Sequence, residues 1–506
     1  MLRFLFSALV VCAFVIPVFG QQKEKDEPEE KERHEEKLET AEDEFVPLSE
    51  LKPLDKTGDY TQRHSYQYGV SAANTLINDS IGLPQGYFLG NYRPYFKYMW
   101  REQHIFNARG KFAYKNNPSL TEAQEKIGVQ RSVGEYNIEF FNAELNFNRH
   151  QVTAGRAFYK LGRGLLFANF ADGAEYNGAF KYLLVKGQVL YSGEYGGCTI
   201  SLSGCATNGD IAQKGLYEIV PGRAADVNLP NPGRRIFAAA EIVSPQLYGS
   251  SLYLLAQYSR DMSRSAATAG NAQGKIYAYD PLNLGLGASG YIITPRLRYL
   301  AEFVLQRGKT YNKNTTTDEA KNEQTNINAW GVTADINYSL PWFEHLLKPG
   351  LALQYAAGSG RDSSPTSTTN VANPSQENVQ GDDNNFYYFG AYSAGLALKP
   401  KISNLHVIRA GFQLRPLNHF YWGRNLMVAG KYTYYRKINA DYSISDASAK
   451  VAKPVVGQGI DAQLVWDFRS DVKLFYAYGF FKPSEAYDAK DAKDIHIHIL
   501  SLNFLF

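Results

Sequence analysis

Three observations predict an all-β fold, a transmembrane antiparallel up-and-down β-barrel of about 18 strands. Apolar and polar residues alternate with period two from about residue 64 to the end of the chain. The chain holds 36 Tyr and 29 Phe, yet no stretch approaches the eighteen apolar residues of a membrane-crossing helix. The last residues alternate as well: Leu500, Leu502 and Phe504 oppose Ser501 and Asn503, and the sequence stops on Phe506. An exposed amphipathic edge strand invites aggregation, but a closed barrel removes it by pairing the last strand with the first.

Residues 1–20 read as a signal peptide, with Arg3, an apolar run from Phe4 to Ile16, and Pro17 before small or branched residues. Lipidation at Cys12 is the rival reading, but Val11 stands where a small residue is wanted. Residues 21–57 carry seven Lys/Arg against fourteen Asp/Glu and read as a charged, solvated periplasmic tail. Residues 58–506 form the barrel and, out of a total net charge of +3, hold a net +9. Cys198 and Cys205 remain after the signal; an exported chain with two close cysteines bridges them, and two free thiols are the alternative.

Within the barrel, Tyr66, Tyr68 and Val70 alternate with Gln67 and Gly69. Phe96, Tyr98 and Trp100 alternate with Arg93, Lys97 and Arg101, and Pro94 marks a bulge. A phase slip at Phe140-Phe141 predicts a second bulge, which keeps Asn137, Glu139, Asn142, Glu144 and Asn146 on one wet face. The same scheme recurs through Tyr176–Leu184, Arg296–Gln306, Val332–Tyr338, Ile408–Arg415 and Ile460–Trp466. A charge facing lipid at mid-membrane costs roughly 2–4 kcal/mol, so the charged face points inward.

Short turns at 148–150, 186–188, 341–344 and 469–471 belong to the periplasmic side, with Trp100, Trp342 and Trp466 in an interfacial girdle. Long connections at about 115–132, 195–232, 308–323, 359–384 and 482–493 belong outside the cell. Both termini then lie in the periplasm, which requires an even strand count. Placing Leu426–Arg436 in an external excursion over about 416–455 yields eighteen.

Gly155-Arg156 is followed by Lys160, Gly162, Arg163, Gly164 and Tyr176-Asn177-Gly178, and Gly457-Gln458-Gly459-Ile460-Asp461 is followed by Tyr476–Pro483. These two stretches resemble the alginate export family of outer-membrane porins. Ala157 stands where the family has glutamine, and Gly459 where it tends to have glutamate. The resemblance implies a porin-like channel and, if it extends to substrate, an acidic saccharide.

Strand phase assigns Arg93, Lys97, Arg101, Arg109, Lys111, Arg156, Lys181, Arg235, Arg296, Arg298, Arg409, Arg415 and Lys473 to the lumen. Glu139, Glu144, Glu175, Glu241, Glu302, Asp335 and Asp461 share that wall. The cationic surplus attracts anions; a rigidifying network of ion pairs is the bland reading of any one of these residues. His496 and His498 share a strand face but lack a third metal ligand, so no metal site is expected. No serine–histidine–acid set faces inward, no nucleic-acid motif exists, and neither cofactor nor catalysis is expected. The expected function is passive passage of anionic or polar solutes, with outer-membrane lipid and the barrel assembly machinery as partners. The alternative is a surface barrel acting as an adhesin or host-factor receptor through its long loops.

Overall fold

Alternating strands with one oily and one wet face satisfy all their backbone groups in a membrane only if the sheet closes on itself. In the computed structural model the sheet does close. Eighteen antiparallel strands each pair with the next in sequence, and β1 pairs with β18. The structure describes residues 64–79, 83–101, 103–116, 132–192, 235–262, 275–292, 295–314, 322–360 and 382–505, a few single positions excepted. The signal and tail (1–20 and 21–57), Cys12, Cys198 and Cys205 lie outside the described residues.

The first strands are β1 (His64–Asp79), β2 (Leu83–Trp100), β3 (His104–Asn116), β4 (Ser132–Phe147), β5 (His150–Leu161) and β6 (Phe167–Ala179). The middle ones are β7 (Leu184–Tyr191), β8 (Arg235–Val243), β9 (Ser250–Asp261), β10 (Lys275–Tyr291), β11 (Leu297–Asn314) and β12 (Asn322–Ser339). After a single helical turn, α1 (Glu344–Leu347), come β13 (Gly350–Gly358), β14 (Leu405–Leu414) and β15 (Leu426–Lys437). The last are β16 (Val455–Arg469), β17 (Val472–Pro483) and β18 (Ile495–Leu505).

Register fixes which side chains face lipid. The exposed Tyr68, Phe96, Phe106, Leu254, Phe303, Leu353, Ile408, Ile460 and Leu500 share one parity around the whole barrel. The opposite parity faces the lumen, and the β1–β18 seam joins Thr75 to Ser501 without a phase break. Pro94 keeps its pairing with Val70, but the β2–β3 ladder skips from Tyr92 to Tyr95, so the proline disturbs one ladder only. The bulge on β4 falls at Glu139, between Ile138 and Phe140, one residue before the expected place. It turns Glu139 inward and leaves Ile138 and Phe141 on the lipid face.

Two expectations are corrected. Leu426–Arg436 is no external excursion: it forms β15, laddered to β14 and β16, with Tyr432 facing lipid and Lys431, Thr433, Tyr435 and Lys437 facing the lumen. The short turn expected at 186–188 is part of β7, and the chain reverses at 180–183 instead. The total of eighteen still holds because the stretch after 384 is not a wall strand. Residues 382–404 lie inside the barrel, where Ile327 of β12 bridges Asp383, Phe167 of β6 bridges Phe389, and Gly358 of β13 bridges Ser403.

Candidate functional site

The site is the lumen, narrowed by two connections that fold inward. The first joins β5 to β6. Leu161 and Phe167 point inward and are fully buried, so the chain between them starts inside the wall. Gly162 (φ 54°) and Gly164 (φ 87°) adopt left-handed backbone, which glycine enters without steric cost, and turn the connection across the lumen. Acids of the far wall catch it there. The Gly162 amide donates to Glu241 Oε2 of β8 at 3.0 Å, and the Arg163 amide to Glu302 Oε2 of β11 at 2.9 Å. Tyr253 of β9 donates its hydroxyl to the same Glu302 oxygen at 2.8 Å. The Arg163 guanidinium pairs with Asp335 of β12. These three carboxylates are therefore anchors for the inner segment as well as part of the lumen wall.

The second inward connection is residues 382–404. It starts against β12, where the Asp383 amide donates to the Asn326 carbonyl at 2.7 Å. Gln306 of β11 then accepts the Tyr387 amide at 3.2 Å. The Phe389 amide donates to the Leu166 carbonyl at 3.0 Å and the Ala391 amide to the Gly164 carbonyl at 3.1 Å, which ties the two inner segments together. Tyr435 of β15 donates to the Ala394 carbonyl at 2.7 Å, and the Leu396 amide donates to Asp461 of β16 at 3.2 Å. An aromatic chain fixes the middle of the segment: Phe167–Phe237 at 4.8 Å, Phe237–Phe389 at 5.3 Å and Tyr387–Phe389 at 5.4 Å between ring centroids. Lumen-facing Gly331 makes room for it, because a Cβ there would lie 2.3 Å from the Phe386 ring.

The predicted cations divide by place. Register puts Arg93, Lys97, Arg109, Lys111, Arg235, Arg298 and Arg409 on lumen-facing positions of β2, β3, β8, β11 and β14, and Lys473 on that of β17. Arg93 and Arg109 share Glu139, at 3.0 and 2.9 Å. Arg109 also lies 4.1 Å from the centre of the Phe140 ring. Arg235 pairs with Asp261 at 2.7 Å, both fully buried, and stacks over Phe389 at 5.2 Å. Arg409 donates to Gln354 at 3.2 Å and sits over the Tyr392 ring at 5.5 Å, while its Nε and Nη2 are buried without a hydrogen-bond partner.

The remaining five predicted cations are placed differently, four of them on the chain's connections. Arg101 sits in the turn after β2 over Trp100 at 5.0 Å, and Lys181 in the turn after β6 over Tyr182 at 4.8 Å. Arg296 precedes β11 and pairs with Glu344 at 3.0 Å, and Arg415 follows β14 with its amide on the Leu347 carbonyl. Arg156 alternates with exposed Ala154 and Phe158, shares their outward parity, and lies 3.7 Å from Asp172. Sequence phase missed Lys186, Lys431 and Arg163: the first two face the lumen on β7 and β15, and Arg163 enters it on a loop.

Lys401, near the end of the inner segment, lies 4.6 Å from the Tyr388 ring centre. Burial pushes its ammonium down to about 8 from the usual 10.5. A base depressed on packing destabilises the packed state fully below its packed value, and the penalty fades as pH rises towards the free value. The segment is therefore held more tightly as pH rises from about 8 to 10. Spontaneous openings in single-channel recordings are expected to become rarer over that interval, and Lys401→Met to abolish the trend; an unchanged trend in that variant contradicts the assignment.

A closed 18-strand antiparallel barrel with a lipid-facing apolar wall and inward-folded loops is a porin-type protein of the bacterial outer membrane. Residues 248–499 match the family profile described as alginate export. Two solved structures from Pseudomonas aeruginosa share the architecture. The outer membrane protein OpdK aligns with a TM-score of 0.50 at 11% identity, over 87% of this chain and 98% of that one. OccK8 (OprE) aligns with a TM-score of 0.50 at 9% identity, over 87% of this chain and 98% of that one. At these identities they establish the shared fold. No curated protein matches the sequence. Fold and profile match together make the chain an outer-membrane channel.

Proposed function

We propose that the barrel passes anionic solutes bearing carboxylates, acidic saccharides among them, by passive diffusion past the two inner segments. The observation that carries this reading is the sign of the wall left over after ion pairing. Glu241, Glu302 and Asp335 hold the β5–β6 connection, and Glu139 is shared by two arginines. Lys97, Lys111 and Lys431 face the lumen without an ion pair among the described residues, on a wall they share with Glu144, Glu175 and Asp461. Arginine's planar fork matches a carboxylate, and lysine holds it as a point charge. The reading needs no cofactor and no catalytic group.

In this reading the short turns and both termini lie in the periplasm and the long connections outside the cell. Residues 1–20 direct export, residues 21–57 form a periplasmic tail, Cys198 and Cys205 form a disulfide, and the barrel assembly machinery inserts the chain. Planar-bilayer recording in a salt gradient tests the function. Stable openings with a reversal potential favouring anions are expected. Cation preference overturns the solute assignment, and a folded barrel without conductance overturns the channel.

A further inference from the structure

The short-turn rim mixes exposed aromatics such as Trp100, Phe147 and Trp342 with the turn cations Arg101, Lys181 and Arg296. At the long-loop rim, across the five adjacent strands β14 to β18, outward positions of the wall strands themselves hold cations and imidazoles. His406 pairs across the ladder with Arg436. Lys482 pairs with Gln458, which in turn pairs with Tyr434, two residues from Arg436. His496 lies beside Phe480 on the next strand. Tyr355 and Tyr478 orient the imidazoles, with hydroxyl-to-Nδ1 distances of 2.9 Å for His406 and 3.0 Å for His496.

Arg436 and Lys482 are exposed and make no ion pair among the described residues. Strand spacing sets them roughly 10 Å apart across the sheet. A lysine or arginine on a barrel's lipid face costs roughly 2–4 kcal/mol at the midplane and about 0–1 near the interface. Two unpaired cations with oriented imidazoles therefore fit headgroup depth, where anionic groups attract them.

We propose that this rim binds a phosphorylated glycolipid of the outer leaflet. Arg436 and Lys482 engage its phosphates, and the His406–Tyr355 and His496–Tyr478 pairs flank them. The inference rests on the reading that the long connections face outward, and it is independent of what the lumen carries.

The test uses the purified protein in detergent micelles, titrated with bisphosphorylated lipid A, dephosphorylated lipid A or inorganic phosphate, with the midpoint of thermal unfolding as readout. The bisphosphorylated lipid is expected to raise the midpoint, and R436Q/K482Q to weaken that response at least tenfold while conductance and ion selectivity stay unchanged. The same dose response in the double variant, or from dephosphorylated lipid or phosphate alone, overturns the proposal. Labelling of Lys490→Cys by an impermeant maleimide on intact cells, above the background of the unsubstituted chain, reports orientation separately. Absence of that label removes the leaflet argument and overturns the proposal even if lipid binds in micelles, whereas loss of conductance bears on the channel alone.

Discussion

Replacing residues 386–397 with an equal length of glycine and serine is expected to raise single-channel conductance roughly threefold or more, because conduction through a water-filled barrel is limited by its narrowest part. The stretch carries Phe386, Tyr387, Tyr388 and Phe389, all buried inside the wall. Burying each such side chain contributes about 1.5–3 kcal/mol to holding the segment in place. A glycine–serine chain forfeits that and samples the lumen as a flexible coil. The wall keeps its own ladders, including the seam between β1 and β18, so the folded band on unheated gels should persist. The β5–β6 connection remains, held by Glu241, Glu302 and Asp335, so the opening should stop short of an empty cylinder. Unchanged conductance in a folded variant would mean that current passes elsewhere.

The wall was legible in the sequence because period two is a local signal. Val332, Ala334, Ile336 and Tyr338 announce a lipid face wherever they lie in the barrel. The inner segments were not legible, because their partners are remote. The atoms that receive the Gly162 and Arg163 amides lie 79 and 139 residues away. One signal was present: Phe386-Tyr387-Tyr388-Phe389 is apolar on both faces, and a barrel wall between lipid and water has no use for such a strand. It belongs where both faces are covered by protein. Only the need for an even strand count sets Leu426–Arg436 outside the wall, yet its alternation of Tyr432 and Tyr434 against Lys431 and Thr433 is regular. The lumen list divided for a related reason. Phase identifies a face only inside a strand, and Arg101, Lys181, Arg296 and Arg415 lie just beyond strand ends.

Reversing the charge of Lys97 and Lys431 together, as K97E/K431E, is expected to move the reversal potential from anion towards cation preference, with the largest change at low salt. Both face the lumen, Lys97 near Glu144 and Lys431 across the ladder from Asp461, and neither closes an ion pair among the described residues. The pair of substitutions changes the wall by four charges. At physiological ionic strength the Debye length is about 8 Å, so each charge acts mainly on ions passing close to it. At about 0.01 M it approaches 30 Å, and the two act across the lumen together. Arg235→Gln supplies the contrast. Its guanidinium is as fully buried as its partner Asp261, so passing ions do not meet it. Removing one member of such a pair leaves an uncompensated charge and costs about 3–5 kcal/mol. That variant should lower the unfolding midpoint and leave the reversal potential where it was. If R235Q shifts selectivity while K97E/K431E does not, the ion path runs through the aromatic cluster rather than along the lysine-bearing wall.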